Sequence, residues 1–393
     1  MTSEFLPVDD LGRLRRRRSA KWRMHPPDVL PLPVAEMDFG IAEPIRSALH
    51  EAVDRGDLGY AYPTRSLGEA IAGFAERRWG WTIDPDDVRA VSDVNAGTNE
   101  LASVLIRPGQ RAIISPPVYP PFFEWMNRSG GEPTCVPMAR RSDGSYCLDL
   151  DALERAFQLG PAVYLLCNPH NPVGSVPSPG ELADLAALAA RYDVRVISDE
   201  IHAQLVLPGA RFTPFLAVPG GADVGVSLVS ASKTWNLAGL KCAVIVAASD
   251  RGRATLAALP ADLGWEVGHL GVIAAEAAFT AGDAWLDSLL LTLAERRRQL
   301  AEMLADRLPR IALTPACATY FAWLDCRALG AGDEPRRLFY DRGLVALDSG
   351  PDFGAEGSGF VRLNFATSAE ILDEATARMA AALGKPHVSH PTR

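Results

Sequence analysis

The sequence lacks the cysteine pattern of a disulfide-stabilised or zinc-binding protein. Its six cysteines are scattered over 393 residues, and no two of them stand in a CxxC spacing. This pattern is typical of reduced thiols in a cytoplasmic protein, and we expect neither a disulfide framework nor a metal site. An excess of positive charge is lacking too, since the net charge is −9. A general nucleic-acid binder is therefore not expected.

Long hydrophobic runs are also absent. The most apolar windows, residues 182–190 and 270–279, are short and rich in alanine, which favours buried or amphipathic helices over membrane spans. A charged run at residues 13–18 precedes any apolar segment long enough for a secretory signal. We interpret this basic run as a solvated N-terminal helix or arm, with a contact to an anionic partner as the alternative. We expect a soluble, cytoplasmic protein without a membrane partner.

The middle of the chain alternates strand-like apolar runs with helical stretches. This alternation predicts an α/β protein whose mostly parallel central sheet is flanked by helices. In such sheets, ligands bind beyond the carboxyl ends of the strands. The predicted elements are strands at residues 88–94, 111–115, 162–167, 194–198, 224–229 and 242–247, and a helix at 179–192.

Length and composition allow more than one domain, since 48% of the residues are hydrophobic. We expect an N-terminal arm with part of a small domain at residues 1–50, a large domain at 51–282 and a smaller α+β C-terminal domain at 283–393. The predicted features of the C-terminal domain are helices at 284–308 and 368–383, strands around 319–324 and 359–365, a mobile loop at 350–359 and a frayed tail from 387.

Lys233 follows the apolar run at 224–229 and lies between small hydroxyl residues. A lysine at the end of a buried strand can have its amine desolvated, which makes it a candidate for Schiff-base chemistry. By itself, the pattern is more typical of a solvated surface lysine. Two upstream segments favour the chemical interpretation: CNPHNPVG at residues 167–174 and SDEIH at 198–202.

These segments supply groups that pyridoxal 5'-phosphate (PLP) needs. A carboxylate must face the ring nitrogen, and Asp199 is the candidate. The phenolate oxygen needs hydrogen-bond donors, which Asn171 and His202 can provide. A flat aromatic side chain must cover the ring, and Tyr119 lies in a rigid, proline-rich loop.

The phosphate of PLP needs backbone N–H groups at a helix N-terminus, hydroxyl groups and a cation. Five residues meet this description: Gly97 and Thr98, which open a predicted helix, and Ser230, Ser232 and Lys241, which lie on either side of the lysine.

Each assignment has a structural alternative. Asp199 fits a strand cap, His202 a buried core histidine, Tyr119 core packing, and the Asn-Pro pair at 171–172 an ordinary turn. The cofactor interpretation is favoured because phosphate loop, aromatic, Asn-Pro loop, aspartate and lysine follow one another along the chain.

With these motifs, the sequence resembles the fold-type I PLP enzymes, the aminotransferase class I/II superfamily, over nearly its whole length. Within the superfamily it is most similar to the cystathionine β-lyase or C–S lyase branch (MalY/PatB type). The segments that carry this narrower likeness are residues 19–22, 30–39, 59–63, 168–174 and 198–202.

The resemblance implies roles for the cofactor residues. Lys233 would hold PLP as a Schiff base, Asp199 would pair with the pyridine nitrogen, and Asn171 would bind the phenolate oxygen. Tyr60 would reach the phosphate of a neighbouring subunit, so a homodimer with shared active sites is expected.

For the substrate, Arg362 matches the family arginine that grips the α-carboxylate, a task that suits the planar guanidinium group. Without the resemblance it would be interpreted as a surface arginine on a strand. Asn168 is expected to help it. Glu36 and Ser175 depart from the residues usual in the family, which leaves PLP use intact but puts the substrate detail in doubt.

The implied activity is a PLP-dependent C–S β-lyase that cleaves a cysteine S-conjugate or a cystathionine-like thioether amino acid to a thiol, pyruvate and ammonia. Nearly the same cofactor contacts support transamination, so an aminotransferase is the alternative. A PLP-binding regulatory protein without useful turnover is a second alternative, disfavoured by the presence of Lys233 and Arg362. Five more residues fit either the substrate pocket or ordinary packing: Trp235, Trp265, Glu266, His269 and Tyr320.

Overall fold

The structure is a computed structural model that describes residues 5–62, 65–128 and 130–384. These residues form two compact units. The larger unit comprises Ile41–Thr292 and Pro315–Thr319 with the residues up to Leu6, and the smaller comprises Pro7–Gly40, Leu293–Thr314 and the residues from Tyr320 onward. The division into domains at residues 50 and 282 remains a prediction.

Seven strands form the central sheet of the larger unit. They are, in chain order, β1 Val88–Val91, β2 Arg111–Ile114, β3 Glu132–Cys135, β4 Ala162–Cys167, β5 Val194–Asp199, β6 Gly225–Val229 and β7 Ala243–Val246. Their order across the sheet is β1-β7-β6-β5-β4-β2-β3. The pairs from β6 to β3 are parallel, whereas β7 is antiparallel to both of its neighbours. The predicted mostly parallel sheet is confirmed.

The strands at the centre of this sheet are buried along their whole length. Every residue of β4, β5 and β6 is buried, as expected for parallel strands covered on both faces. Strand β4 has the predicted bounds, and β5 extends one residue further to include Asp199. The carboxyl ends of three adjacent parallel strands therefore meet at one edge of the sheet.

The larger unit also contains helices, some of which pack on this sheet. They are α1 Glu43–Asp54, α2 Arg65–Trp79, α3 Val94–Leu105, α4 Pro121–Arg128, α5 Leu150–Phe157, α6 Pro179–Arg191, α7 Asp250–Ala258 and α8 His269–Ala281. Helix α6 begins with a capping box of Ser178 and Glu181, which satisfies the exposed N–H groups of its first turn. The two apolar windows noted in the sequence lie in α6 and α8.

The start of α3 differs from the prediction. The apolar run is a strand only as far as Val91, and the helix begins at Val94 rather than at Gly97. The reason is Asp93, whose side chain accepts a hydrogen bond from the N–H of Ala96 and caps the helix. Gly97 and Thr98 consequently lie inside the helix.

The smaller unit contains an antiparallel sheet. Its strands are β8 Ala312–Leu313, β9 Phe321–Asp325, β10 Asp348–Ser349 and β11 Phe360–Asn364, in the order β8-β9-β11-β10. Helix α9, Asp283–Arg307, contributes residues to both units, and α10 Arg336–Gly343 and α11 Ala369–Gly384 belong to the smaller one. The N-terminal strand Leu30–Pro31 pairs with Val345–Ala346. The smaller α+β domain is therefore built from both ends of the chain.

The segment at 350–359, predicted as a loop, has regular structure. It forms two short 3-10 helices, Gly350–Phe353 and Ala355–Gly357. A Cβ atom on Gly357 would lie 1.9 Å from the carbonyl oxygen of Gly350, so the two turns pack backbone to backbone. The frayed tail predicted from residue 387 lies outside the described residues.

One arginine of the basic run near the N-terminus makes hydrogen bonds within the smaller unit. Arg17 donates hydrogen bonds to the carbonyl oxygens of Met37 and Asp38, both at 3.0 Å. The neighbouring Lys21 forms a fully buried ion pair with Asp38 at 2.8 Å. Among the residues that the structure describes, no helix combines the length and apolarity needed to cross a membrane.

Candidate cofactor and substrate site

Asp199 and Lys233 lie at the carboxyl ends of adjacent parallel strands. Asp199 is the last residue of β5, and Lys233 is in the turn after β6. The Asp199 side chain is buried and accepts a hydrogen bond from the N–H of Ile201 at 3.1 Å. Burial raises the pKa of Asp199 to about 7, while the N–H of Ile201 and the charge of Lys233 oppose this rise. A cation beside Asp199 would keep the carboxylate ionised.

Cys167 connects Asp199 to the Asn-Pro loop. It is the last residue of β4 and the cross-strand partner of Asp199. Its sulfur accepts a hydrogen bond from the backbone N–H of Asn171 at 3.4 Å. Burial raises the pKa of the Cys167 thiol well above its usual value, and the charge of Asp199 adds to this effect. The thiol is therefore neutral and adds no second negative charge beside Asp199.

The loops that carry Asn171 and Tyr119 are joined by His170. A ring nitrogen of His170 lies 2.9 Å from the carbonyl oxygen of Pro117. Burial lowers the pKa of His170 to about 4, so its ring is neutral at physiological pH. Tyr119 is half-buried and packs against the main hydrophobic cluster. His202 is buried in the turn after β5.

The residues predicted to bind the phosphate fall into two groups. In the first, the Ser230 hydroxyl donates to the carbonyl oxygen of Cys242 at 2.8 Å and accepts from the Ser232 N–H at 3.0 Å. The Lys241 amine lies 2.8 Å from Asp93, the cap residue of α3. This ion pair brings a cation to a helix N-terminus, where a phosphate would also be stabilised.

The second group, Gly97 and Thr98, is bonded within α3. The N–H of Gly97 donates to the carbonyl oxygen of Asp93, and the Thr98 hydroxyl donates to that of Val94. A Cβ atom on Gly97 would lie 2.7 Å from Leu228 Cδ2. The glycine therefore allows α3 to approach β6 closely, and the phosphate role of both residues stays a prediction.

Tyr60 is on the surface of the larger unit. Its side chain is 83% exposed and packs edge-on against Trp265, with ring centroids 6.1 Å apart. Trp265 is itself 59% exposed. The two rings form an exposed aromatic pair, and the predicted contact of Tyr60 with another subunit stays a prediction.

Asn168 belongs to a buried polar network that the sequence analysis missed. Its side-chain nitrogen donates to the carbonyl oxygen of Thr213 at 3.1 Å, which provides a structural explanation beside the predicted substrate role. Glu200 accepts hydrogen bonds from the Ser198 hydroxyl at 2.9 Å and the Phe215 N–H at 2.8 Å. Burial raises the pKa of Glu200 to about 7, against these hydrogen bonds and those of Ser227 and Asn168. The available signal was the position of Glu200 directly after Asp199.

Arg362 lies on β11 of the smaller unit and is only 4% exposed. Its Nε and Nη2 atoms are 2.8 and 2.6 Å from Asp348 Oδ2. The guanidinium carbon is 4.0 Å from the ring centroid of Phe321 and 4.8 Å from that of Phe353. The surface-arginine interpretation is therefore wrong, because this group is held by a carboxylate and two aromatic rings.

The sequence left several residues undecided between the substrate pocket and ordinary packing, and the structure gives them different surroundings. Trp235 is buried against the rings of Phe74 and Phe279, which is ordinary core packing. The Tyr320 hydroxyl donates to the carbonyl oxygen of Ala35 within the smaller unit. Glu266 ends a short 3-10 helix, and His269 is the first residue of α8.

The chain is similar to proteins of a known family. A model of the family "Aminotransferase class I and II" matches residues 27–379. A protein of Mycobacterium leprae named "Putative cystathionine beta-lyase" is 45% identical over 405 residues, covering 98% of this chain and 99% of its own. The "Cystathionine beta-lyase" of Corynebacterium glutamicum is 36% identical, covering 95% of this chain and 99% of its own.

A solved structure gives a similar result. The "putative plp-dependent beta-cystathionase" of Corynebacterium diphtheriae superposes with a TM-score of 0.91 at 35% sequence identity. The match covers 97% of this chain and 99% of that chain.

Proposed function

Since the chain belongs to the aminotransferase class I and II family and is a PLP-dependent carbon–sulfur lyase of the cystathionine β-lyase branch, we propose that it cleaves a cysteine S-conjugate or a cystathionine-like thioether amino acid. The proposed products are a thiol, pyruvate and ammonia, with one water consumed. The observation that carries the proposal is the buried Asp199 carboxyl beside Lys233, at the carboxyl ends of adjacent parallel strands.

The residues present fit PLP. Asp199 is a buried carboxyl whose pKa lies near 7, and a protonated pyridine nitrogen would provide the cation that keeps it ionised. Lys241 and the N-terminus of α3 offer positive charge for the phosphate. When bound, PLP supplies an electron sink for the pair of electrons left by loss of the substrate Cα proton.

The chain's own residues move the proton and hold the charges. Lys233, which would also bind the cofactor, takes the proton from Cα of the substrate. Asp199 would hold a positive charge on the ring nitrogen of the bound cofactor, and Asn171 would donate a hydrogen bond to its phenolate oxygen. Breaking the Cβ–S bond then releases the thiol, and hydrolysis of the remaining three-carbon fragment gives pyruvate and ammonia.

Arg362 is proposed to bind the substrate α-carboxylate. Its buried guanidinium group is planar and fixed between aromatic rings, which suits a paired contact with a carboxylate. The pair with Asp348 through Nε and Nη2 fixes the orientation of the group. Such a site selects an amino acid with a free carboxylate.

The proposal includes a homodimer in the cytoplasm. The exposed ring of Tyr60 beside Trp265 supports a subunit contact, because exposed aromatic pairs are typical of interfaces. All six cysteines have free thiols, which supports a reducing compartment. A mass measurement in solution, repeated on Tyr60→Ala, tests the dimer.

The activity is tested with purified holoenzyme and L-cystathionine or an S-alkyl cysteine, without any keto acid. We expect equal amounts of thiol and pyruvate, and a visible absorption band of the lysine-bound cofactor that is lost in Lys233→Ala. Lys241→Ala is the matched control from the same segment. At saturating PLP it should keep the band.

The other outcomes are distinct. Product formation only when a keto acid is added would overturn the lyase assignment in favour of an aminotransferase. An absorption band that persists in Lys233→Ala would exclude this lysine as the cofactor ligand. A holoenzyme that shows the band but turns over no amino acid would leave the regulatory alternative.

A further inference from the structure

We propose that a cavity at the amino-terminal edge of the central sheet binds a phosphate group, separately from the cofactor site. The cavity has a volume of about 320 Å³ and lies in the larger unit. Its polar lining consists of Arg107, Gln110, Asp193, Arg195, Arg251 and Thr255.

The position of the cavity sets it apart from the cofactor residues. Its walls include Ala162, the first residue of β4, and Arg195 near the start of β5. Asp199 is at the opposite end of β5. At about 3.3 Å per residue, the backbones of Arg195 and Asp199 are about 13 Å apart. A ligand in this cavity therefore does not replace the phosphate of PLP.

The charge of the cavity favours an anion. Three guanidinium groups and one carboxylate line it, a formal excess of two positive charges in a chain whose net charge is −9. The carboxylate, Asp193, is paired with Arg251 at 3.0 Å. Neither Arg107 nor Arg195 forms an ion pair with a carboxylate among the described residues, although the charge of Asp193 also acts on Arg195.

Arg195 provides an independent indication. It is only 7% exposed, and its Nε atom is buried without a hydrogen-bond partner among the described residues. Its Nη1 atom donates to the carbonyl oxygen of Asp223 at 3.2 Å, and Nη2 lies 3.5 Å from the Thr255 hydroxyl. A buried guanidinium group whose hydrogen bonds go only to neutral acceptors is costly, and a bound anion would add to the countercharge of Asp193.

The pKa of Arg195 agrees with this geometry. Burial lowers it to about 10, and the nearby charge of Arg251 acts in the same direction, while the charge of Asp193 opposes both. The two cations therefore destabilise each other. An anion between them would remove this repulsion and bind more strongly for that reason.

The walls of the cavity are preformed. Arg251, Ala254, Thr255 and Ala258 lie on one face of α7, where the alanines leave space beside the arginine and the hydroxyl. After α3, Gln110 and Arg107 hold their turn by two hydrogen bonds, one through each backbone N–H. The arginine side chains need no backbone rearrangement to meet a ligand.

A phosphate group suits the chemistry and size of this site. Guanidinium groups bind phosphate through paired hydrogen bonds, and the Thr255 hydroxyl adds a further polar partner. The volume is at the lower end for small-molecule pockets, which suits free phosphate or a small phosphate monoester.

The test is calorimetric titration of the PLP-saturated holoenzyme with inorganic phosphate and with glycerol 3-phosphate, at constant ionic strength set with chloride. We expect one saturable site per chain. Arg107→Gln and Arg251→Gln should each weaken binding about tenfold. Arg253→Gln is the matched control, because Arg253 is an equally exposed arginine of α7 that pairs with Asp87 and Asp250 outside the cavity.

A further variant separates binding from a merely structural role. Asp193→Asn removes the one carboxylate that the described residues contribute to the cavity lining, so phosphate should bind more tightly, whereas a structural ion pair with Arg251 predicts no gain. Tighter binding of glycerol 3-phosphate would assign the site to a phosphate monoester, and equal binding to the phosphate group itself. Absence of a saturable site, or equal weakening in Arg253→Gln, would overturn the proposal.

Discussion

Replacing Glu200 by glutamine should remove a large part of the pH dependence of stability. Glu200 is fully buried, and burial raises its pKa from 4.5 to about 7. A carboxyl whose pKa is raised by folding binds a proton more tightly in the folded state. Its protonation therefore stabilises the folded protein fully below pH 4.5, and this contribution is lost as the pH rises through about 7.

The expected magnitude follows from the shift. A change from 4.5 to about 7 corresponds to about 3 kcal/mol in the free energy of unfolding. Between pH 5 and pH 8.5, linkage assigns to this single carboxyl about 2.5 kcal/mol. The substituted glutamine would not titrate, yet its side-chain oxygen can still accept from Ser198 and Phe215.

The assay is urea denaturation of the wild type and Glu200→Gln at both pH values, followed by tryptophan fluorescence. Asp199 titrates in the same range, so the informative quantity is the difference between the two proteins. Glu124→Gln, at an exposed position of α4, is the control and should behave like the wild type. The reasoning fails if Glu200→Gln loses as much unfolding free energy as the wild type over this interval.

Three further predictions concern the site and its supports. Asp348→Asn should raise KM for the amino acid about tenfold with a smaller effect on kcat, because the Arg362 guanidinium loses its orienting partner; an unchanged KM in steady-state kinetics would contradict this. Asp93→Asn keeps the helix cap but removes the negative charge beside Lys241. Equilibrium titration should therefore show severalfold tighter PLP binding, and weaker binding would argue against a phosphate role for this lysine. Gly97→Ala should lower the unfolding free energy by about 1 to 3 kcal/mol in thermal denaturation, because the new Cβ would meet Leu228. Gly40→Ala, with open space around the new Cβ, should cost less than about 1 kcal/mol.

Six of the seven strands of the central sheet could be predicted because they are short apolar runs, whereas the edge strand β3 was missed because its residues are mostly polar and exposed. β4 was predicted without error, since six consecutive apolar residues lie between turn-forming residues. The start of α3 was not, because the predicted strand was carried through Ser92 and Asp93 to Val94, and the capping role of Asp93 depends on where the strand ends. Local pattern locates an element better than it locates its boundary.

In the site, the order of the motifs along the chain indicated the cofactor, but it did not indicate the roles of the acidic residues Asp93 and Glu200. Asp93 and Lys241 are 148 residues apart, so their pairing depends on the fold rather than on any local motif. Glu200 stood inside a recognised motif, yet its role depends on burial by the segment around Phe215. The cavity around Arg195 was missed for the same reason, since its charges come from three separate elements.

Lys241 and Arg362, to which we assign ligand anions, each form an ion pair with a carboxylate. Removing the carboxylate should have opposite effects on ligand binding in the two pairs. Lys241 and Asp93 meet through one flexible amine, and both side chains are partly exposed. A phosphate must therefore compete with Asp93 for the same compact charge. Asp348 instead contacts two nitrogens of a guanidinium group that is 4% exposed and packed against two rings. That acid fixes an orientation, so its loss should weaken carboxylate binding, whereas loss of Asp93 should strengthen phosphate binding.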